Sequence, residues 1–324
     1  MTPKFRIEVE GVDITDTIGK RLISLVVRDE AGFASDTCEI NLDDRGLDVA
    51  IPPKGRKLKV WMGYQESGLF LKGEFVVDEC RHHGPPATLV ISAKGADMLE
   101  SLKTRKTRSW HEQTIGEIVT TIASEHGLDA RIAAIYADTL IKHIDQSDES
   151  DLSFLTRLAS ERDAIAKPVS GKLLFVPRGE AKTAAGEALP TLSLKVTDFQ
   201  KWEHTQQERE NYKKVLAYWT DKRTGIRKEV TAGEDAPVKN LRNDYADEVT
   251  AQKAADAELR RIRRGKATLN LTLEGLPEAG ADWRVTISDF KPEIDGLWSV
   301  HHAEHTYDES GLVTILETEI PQSE

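Results

Sequence analysis

The 324-residue chain is poor in cysteine and contains only Cys38 and Cys80. Both lie in segments that alternate polar and apolar residues, which favours two small buried side chains over a disulfide and indicates folding in a reducing cytoplasm. Two cysteines are also too few for a disulfide framework or a four-cysteine zinc site. The chain is therefore expected to depend on a hydrophobic core for its stability.

Long apolar runs and an excess of positive charge are also absent. No stretch reaches the roughly 18 apolar residues of a membrane span, and the N-terminus enters a strand pattern without an apolar signal core. Lysine and arginine number 44 against 55 acidic residues, a net charge of −11. Phosphate binding needs a clustered positive field, so neither membrane insertion nor nucleic acid as the main partner is expected.

Catalytic signatures are missing as well. The sequence contains no Gly-x-Ser-x-Gly elbow, Walker loop, dinucleotide fingerprint or catalytic-cysteine context. Three acidic pairs could be posed as the acid and base of a glycoside hydrolase, namely Asp43 with Asp44, Asp148 with Asp151, and Glu208 with Glu210. Nothing in the sequence raises one pKa of a pair above the other, so solvated turns and helix caps are the favoured interpretation. We expect no enzyme and no cofactor.

One histidine-rich segment is a candidate for weak metal binding. In a strand, His301 and His305 would share one face, while His302 and Glu304 would point to the other. A metal site needs convergent ligands, so a polar or partly buried strand face is favoured over a site at His301 and His305.

The first hundred residues predict a series of short strands. Phe5, Ile7 and Val9 alternate with charged residues, which is the period of a half-buried strand. Similar segments follow at 22–28, 37–42, 58–64, 70–78 and 88–93, separated by turn residues such as Asp, Gly and Pro. This pattern predicts a first small β-barrel over residues 1–102.

The middle of the chain, residues 103–190, predicts a mixed region and a linker. Residues 103–108 (Lys-Thr-Arg-Lys-Thr-Arg) resemble a short basic connector. Thr114 and Glu117 fit a capping box that begins a helix, and a second helix is expected over residues 148–162. A short strand follows at 172–176, and residues 178–190 indicate an exposed loop.

Strands return from residue 191 and predict a second β-barrel domain over 191–324 with one inserted helix at 247–264. That helix ends in a basic cluster formed by Arg260, Arg261, Arg263 and Arg264. The cluster could contact phosphate or an acidic partner, although cations are also favoured in the last turn of any helix. The fold class expected is α+β, mainly β, with two similar small barrels around a helix-containing middle.

One segment carries a family resemblance. Ser150 and Asp151 begin a helix, Phe154, Arg157 and Leu158 follow within it, and Gly171 leads into a strand. This order resembles the phage late control D family, the baseplate hub of contractile tails, and the hub part of type VI secretion spike proteins. Weaker support comes from Ala279-Gly280 before Trp283, and from Gly296-Leu297-Trp298. The likeness extends over nearly the whole chain.

The resemblance implies a virion protein that is assembled in the bacterial host cytoplasm. It implies two related barrels per subunit, and a homotrimeric ring of six similar domains that adapts a sixfold tail tube to a threefold spike. The implied partners are the tail spike protein, the tail tube protein, other baseplate proteins and tape-measure proteins. Asp151 would start the helix, Phe154 and Leu158 would anchor it, and Arg157 would bridge to a carboxylate or carbonyl.

Two alternatives belong to other functional classes. A peptidoglycan hydrolase of an injection machine would need an acid–base site, and the lysozyme domain that some hubs carry is not expected here. A glycan-binding β module would need an exposed aromatic platform, and the six tryptophans are scattered along the sequence.

Overall fold

The computed structural model describes residues 1–32, 35–96, 100–169, 171–178, 189–206, 212–221, 223–265 and 267–321. Within these ranges the chain forms twenty-one β-strands and five α-helices. The expected mainly-β fold is confirmed.

The N-terminal elements agree with the predicted strands. They are β1 (Pro3–Val9), β2 (Val12–Asp13), α1 (Thr15–Gly19), β3 (Leu22–Glu30), β4 (Thr37–Asp43), β5 (Lys57–Tyr64), β6 (Gly68–His83) and β7 (Thr88–Gly95). The six predicted segments correspond to β1 and to β3 through β7. Strand β4 buries alternate residues, Cys38, Ile40 and Leu42, whereas β3 and β7 each bury three consecutive residues.

The middle elements contain the two predicted helices and several additional strands. They are β8 (Arg105–Thr114), α2 (Ile115–Glu125), β9 (Asp129–Ile132), α3 (Ala134–Ala137), β10 (Leu140–Ser150), α4 (Asp151–Ser160), β11 (Ala164–Val169) and β12 (Lys172–Pro177). Thr114 and Glu117 form the predicted capping box. The interpretation of residues 103–108 as a connector is wrong, because most of this segment belongs to β8, which pairs antiparallel with β10.

The C-terminal elements are β13 (Thr191–Lys195), β14 (Phe199–Gln206), β15 (Lys214–Asp221), β16 (Ile226–Gly233), β17 (Val238–Tyr245), α5 (Glu248–Arg264), β18 (Ala267–Glu274), β19 (Arg284–Ser288), β20 (Gly296–Asp308) and β21 (Gly311–Glu319). The predicted inserted helix is α5. Asp247 caps it by accepting a hydrogen bond from the Thr250 amide at 2.9 Å, and Gly265 follows its last residue. Most of the predicted loop at 178–190 lies outside the described residues.

One large sheet joins the two ends of the chain. Its strands follow the order β14-β18-β21-β20-β3-β4-β7-β6-β5-β1-β2, with β19 on β20 and β13 on β19. The link between the N- and C-terminal parts is the antiparallel pair β3–β20, in register from Ser24 opposite Asp308 to Glu30 opposite His302. The sheets of the described residues are open, so the expectation of two closed barrels is not confirmed. The physical reason is that β3 and β20 pair with each other and continue one sheet into the next.

The buried apolar residues form four clusters. One lies on the N-terminal strands around Ile7 and Phe75, and a second lies on the C-terminal strands around Leu271 and Leu316. A third packs α2 and α4 against the small sheet β9-β12-β11. The fourth packs α5 against the sheet β16-β15-β17. The boundaries 1–102, 103–190 and 191–324 stay a prediction.

Candidate functional site

The motif that carries the resemblance forms the start of α4 and its surroundings. Ser150 is the N-cap, and its hydroxyl oxygen accepts a hydrogen bond from the Ser153 amide at 3.2 Å. Asp151 is the first residue of the helix and is fully buried. Its carboxylate therefore lies at the positive end of the helix dipole and out of contact with water.

Asp151 is the centre of a charged cluster. Its carboxylate oxygens lie 2.6 Å from Lys106 Nζ, 2.5 Å from Arg108 Nη2 and 2.8 Å from His126 Nε2. Gln146 Nε2 donates a further hydrogen bond at 2.8 Å. Burial by itself would raise the pKa of Asp151, but the hydrogen bonds from Lys106, Gln146 and His126 lower it to about 2.

The other motif residues pack around this cluster. Phe154 and Leu158 are fully buried in the core of the middle region. Arg157 donates to Glu149 Oε2 at 2.7 Å and to the carbonyl of Asp145 at 2.9 Å, and its guanidinium lies 5.3 Å from the centre of the Phe154 ring. Arg157 therefore holds the last residues of β10 against α4.

Gly171 lies in the turn between β11 and β12. Its φ is +72°, a conformation in which glycine is favoured because it lacks a Cβ. Its carbonyl accepts a hydrogen bond from the Asp129 amide at 3.0 Å, so the turn also positions the start of β9.

The four arginines at the end of α5 do not form one surface. Arg264 is buried and pairs with Asp163, which also lies 3.1 Å from Arg260 Nε. Arg261 pairs with Glu258 at 2.6 Å. Arg263 is exposed, and it forms no ion pair with any residue that the structure describes. Three of these four side chains therefore contact the chain itself, and two of them tie α5 to the middle region.

The described members of the acidic pairs each have partners of their own. Asp44 is buried and accepts hydrogen bonds from the Asp48 and Val49 amides at 3.0 Å. Hydrogen bonds that Arg45 donates to the Asp43 carboxylate lower the pKa of Asp43. Asp148 is exposed and pairs with Arg105 at 2.8 Å, whereas Asp151 is enclosed in its own cluster. Glu208 and Glu210 lie outside the described residues.

The two histidines considered for metal binding do not converge. His305 is buried, with Nδ1 3.0 Å from Thr314 Oγ1 and Nε2 3.1 Å from the carbonyl of Ala279. Burial lowers its pKa to about 3. His301 lies at a register shift in β20 and reaches Glu317 at 3.3 Å. Both His305 nitrogens are thus hydrogen-bonded, and His301 is directed to a surface carboxylate.

A second charged cluster joins the N-terminal strands, the middle region and the loop after β18. Lys167 Nζ donates to the carbonyl of Glu30 at 2.7 Å and to Asp36 Oδ1 at 2.8 Å. Asp29 accepts a hydrogen bond from the Ala281 amide at 2.9 Å. Burial raises the pKa of the adjacent Asp282 to about 6, with Lys167 opposing the shift and Asp29 reinforcing it.

Glu125, His126 and Asp151 each offer one ligand atom, and these atoms lie within 4.8 Å of one another. However, Lys106 and Arg108 each pair with both Glu125 and Asp151. Two cations therefore already balance the two carboxylates, and we assign no metal to this group.

Comparison with known proteins identifies the family. The family model described as phage tail baseplate hub (GPD) matches residues 70–311. A probable baseplate hub protein of Escherichia phage 186 is 35% identical over 367 residues, covering 100% of this chain and 94% of that protein. This chain belongs to the phage tail baseplate hub family.

Solved structures share the fold of this baseplate hub protein. A 43 kDa tail protein of prophage MuSo2 from Shewanella oneidensis has a TM-score of 0.70 at 16% identity, covering 98% of both chains. The E. coli c3393 protein, a component of the type VI secretion system, has a TM-score of 0.59 at 13% identity and covers 98% of this chain and 77% of that one. The predicted relationship to both groups is confirmed at the level of the fold.

Membership of this family makes the chain a structural component of the virion tail. Among its described helices, none has the length and apolar character that a membrane span requires.

Sequence reasoning missed most of the partners of Asp151 in this hub protein. Lys106 and Arg108 belong to the segment interpreted as a connector, and no sequence motif singles out His126. A signal was present, since Lys106, Arg108 and Trp110 alternate as the inward positions of a strand do. It was obscured because two of these three positions are charged.

Proposed function

We propose that three copies of this chain form a closed ring at the distal end of a contractile tail. The ring would adapt the sixfold tail tube above it to the threefold spike below it. The observation that carries the proposal is one sheet that covers two separate cores, one N-terminal and one C-terminal. Two sheet modules per chain and three chains give six similar modules, which is compatible with both symmetries.

The two modules would be the tube-like domains 1–102 and 191–324, with 103–190 as the middle region between them. A barrel-like form for each module is part of this proposal. It is supported by the fact that each core is built mainly from the strands of its own end of the chain, although Leu312 of β21 is buried in the N-terminal core. The β3–β20 pair joins the two modules. The inserted sheet β16-β15-β17 and α5 have a core of their own and would lie outside the ring-forming modules.

The proposed partners are two further copies of the chain, the tail spike protein, the tail tube protein, and other baseplate and tape-measure proteins. Ser150, Asp151, Phe154, Arg157, Leu158 and Gly171 would act by packing, since their contacts are internal. Within the basic cluster, Arg263 is the arginine best suited to an acidic partner, because the other three are engaged within the chain.

We further propose that the chain acts without a reaction centre. Among the described members of the acidic pairs, Asp43 and Asp148 pair with arginines, Asp151 is buried beside two cations, and Asp44 accepts hydrogen bonds from two backbone amides. The pKa values of Asp43 and Asp151 are lowered, so neither carboxyl group holds the proton that a general acid needs. The exposed Trp202 packs edge-on against Phe290 and does not form a flat sugar-binding platform.

Native mass spectrometry of the chain, expressed together with its spike protein, tests the ring. Three copies of the chain per complex are expected. A complex containing a single copy would contradict the proposal. A peptidoglycan zymogram of the same preparation is expected to show no clearing, and a clear band at the mass of this chain would favour the hydrolase.

A further inference from the structure

The strand pair β8–β10 carries two histidines directly opposite each other. His111 and His143 are cross-strand partners in the antiparallel register, and both side chains are on the exposed surface. Their rings stack with centroids 4.5 Å apart, and the two Nδ1 atoms are separated by 3.0 Å. The two Nδ1 atoms thus lie next to each other on the exposed face of one strand pair.

A neighbouring carboxylate determines which nitrogen of His143 donates a hydrogen bond. Asp145 Oδ2 lies 3.2 Å from His143 Nε2, and the other oxygen of Asp145 accepts a hydrogen bond from the Ser109 hydroxyl at 2.5 Å. A carboxylate only accepts hydrogen bonds, so His143 Nε2 is the donor, and in the neutral imidazole Nδ1 then keeps a free lone pair. This arrangement of carboxylate, imidazole and outward-facing lone pair is the one that supports metal-binding histidines in proteins.

We propose that His111 and His143 bind one divalent transition-metal ion through their Nδ1 atoms, with Asp145 orienting His143 from the outer shell. Metal–nitrogen bonds of about 2.1 Å place two ligand nitrogens roughly 3.0–3.4 Å apart around a tetrahedral or octahedral ion. The observed separation of 3.0 Å falls in that range. Imidazole nitrogens favour Zn²⁺, Cu²⁺ and Ni²⁺, whereas Mg²⁺ and Ca²⁺ prefer oxygen ligands.

The charges around this pair differ from those around Asp151. The ion pair of Asp145 is with His143, and no lysine or arginine side chain of the described residues is paired with its carboxylate. The site therefore has no built-in cation to displace. With two protein ligands, its remaining coordination positions are open to water or to a side chain of a neighbouring subunit, and the proposal is independent of the trimeric ring.

Without metal, a hydrogen bond across the 3.0 Å between the two Nδ1 atoms requires one of them to donate, and His111 is the donor when the proton of a neutral His143 is on Nε2. Metal binding replaces that proton, because both nitrogens must then be unprotonated. The separation of the two nitrogens already fits the ion, and the stacked rings need only tilt so that both in-plane lone pairs face it.

The test is a calorimetric titration of metal-free, full-length protein with Zn²⁺ at neutral pH. One ion is expected to bind saturably per chain. The variants H111Q and H143Q should each weaken binding by at least about tenfold, and D145N should weaken it by about tenfold through loss of the oriented imidazole. The matched control is H83Q. His83 is also an exposed strand histidine, but its ring is hydrogen-bonded to the Thr88 hydroxyl and not to a second histidine. This control should bind as the wild type does.

Cu²⁺ gives a second readout that does not depend on affinity. Its electron paramagnetic resonance spectrum should show coupling to two imidazole nitrogens in the wild type and in H83Q, and to one in H111Q or H143Q. Circular dichroism of each variant establishes that it is folded. The proposal is overturned if the wild type shows no saturable binding, or if H111Q and H143Q bind Zn²⁺ as tightly as the control.

Discussion

Asp282 shows how the fold places a carboxylate where its charge is disfavoured. It lies in the loop between β18 and β19, beside Lys167 and Arg178 but also beside Asp29 and Asp36. Burial raises its pKa from the ordinary 3.8 to about 6. The folded state therefore binds a proton more tightly than the unfolded chain does, so this residue opposes folding as the pH rises from about 4 through 6.

We predict that Asp282→Asn stabilises the protein at pH 8 but not at pH 4. The amide is neutral at every pH and tolerates the positive φ of +65° at this position. The gain at pH 8 should be about 1 kcal/mol, since the neighbouring cations and the partial solvent contact reduce the cost of the charge. Urea unfolding of both proteins at the two pH values measures it. A difference between variant and wild type that is independent of pH would contradict this account.

At the scale of elements, Asp151 joins three parts of the middle region. Lys106 and Arg108 come from β8, His126 follows α2, and Asp151 itself begins α4. Without this carboxylate, the charges of Lys106 and Arg108 would face each other and the positive end of the α4 dipole, with less negative charge to balance them. The cluster therefore fixes how the helices meet the β8–β10 pair.

We predict that Asp151→Asn lowers the free energy of unfolding by about 3 kcal/mol. This is the lower end of the range for a broken buried ion pair, and it applies because Lys106 and Arg108 are partly exposed. With the pKa of Asp151 lowered from 3.8 to about 2, its contribution is present above pH 4 and is lost as the pH falls toward 2. The difference between wild type and variant should shrink over that interval.

The control for this variant is Asp148→Asn. Asp148 pairs with Arg105 at 2.8 Å, but both side chains are more than 70% exposed. Its loss should cost less than about 1 kcal/mol. Urea unfolding followed by intrinsic fluorescence compares the two variants, and equal losses would show that burial of Asp151 is not the cause.

Elements with a local signal could be predicted from the sequence. The capping box at Thr114, the cap at Ser150 and the arginine-rich end of α5 each depend on residues within a few positions of one another. Strands β8, β14 and β17 carry no comparable local signal, because they present few apolar residues, and most positions of β14 and β17 are exposed. Their pairing is decided by neighbours that are distant in sequence, such as β18 for β14.

At the scale of the whole molecule, the join between the two ends of the chain had no local signal. The β3–β20 pair brings Arg28 opposite Glu304, with Arg28 Nε 2.6 Å from a Glu304 oxygen across 276 positions of sequence. Strand periodicity predicts a half-buried strand but not its partner, so two separate barrels were expected. The observed sheet instead makes the stability of each end depend on the other.

The loop after β18 contacts strands from both ends of the chain at one residue, Gly275. Gly275 lies between Tyr64 of β5 and Leu312 of β21, and Tyr64 donates its hydroxyl to the Gly275 carbonyl at 2.9 Å. A Cβ at Gly275 would lie 2.4 Å from Leu312 Cγ and 2.7 Å from the Tyr64 hydroxyl. Because both neighbours are packed in the same core, neither can move freely away.

We therefore predict that Gly275→Ala lowers the free energy of unfolding by about 2 kcal/mol, the usual cost of overpacking a core. Hydrogen exchange should become faster in β5 and β21 together, although they belong to opposite ends of the chain, because the inserted methyl group pushes both away from the loop. Gly265→Ala is the control, since a Cβ there meets its nearest atom at an ordinary 3.7 Å. Faster exchange in β21 alone would contradict the prediction. It would mean that Tyr64 moves aside without disturbing β5, so the two ends of the sheet are not coupled through this loop.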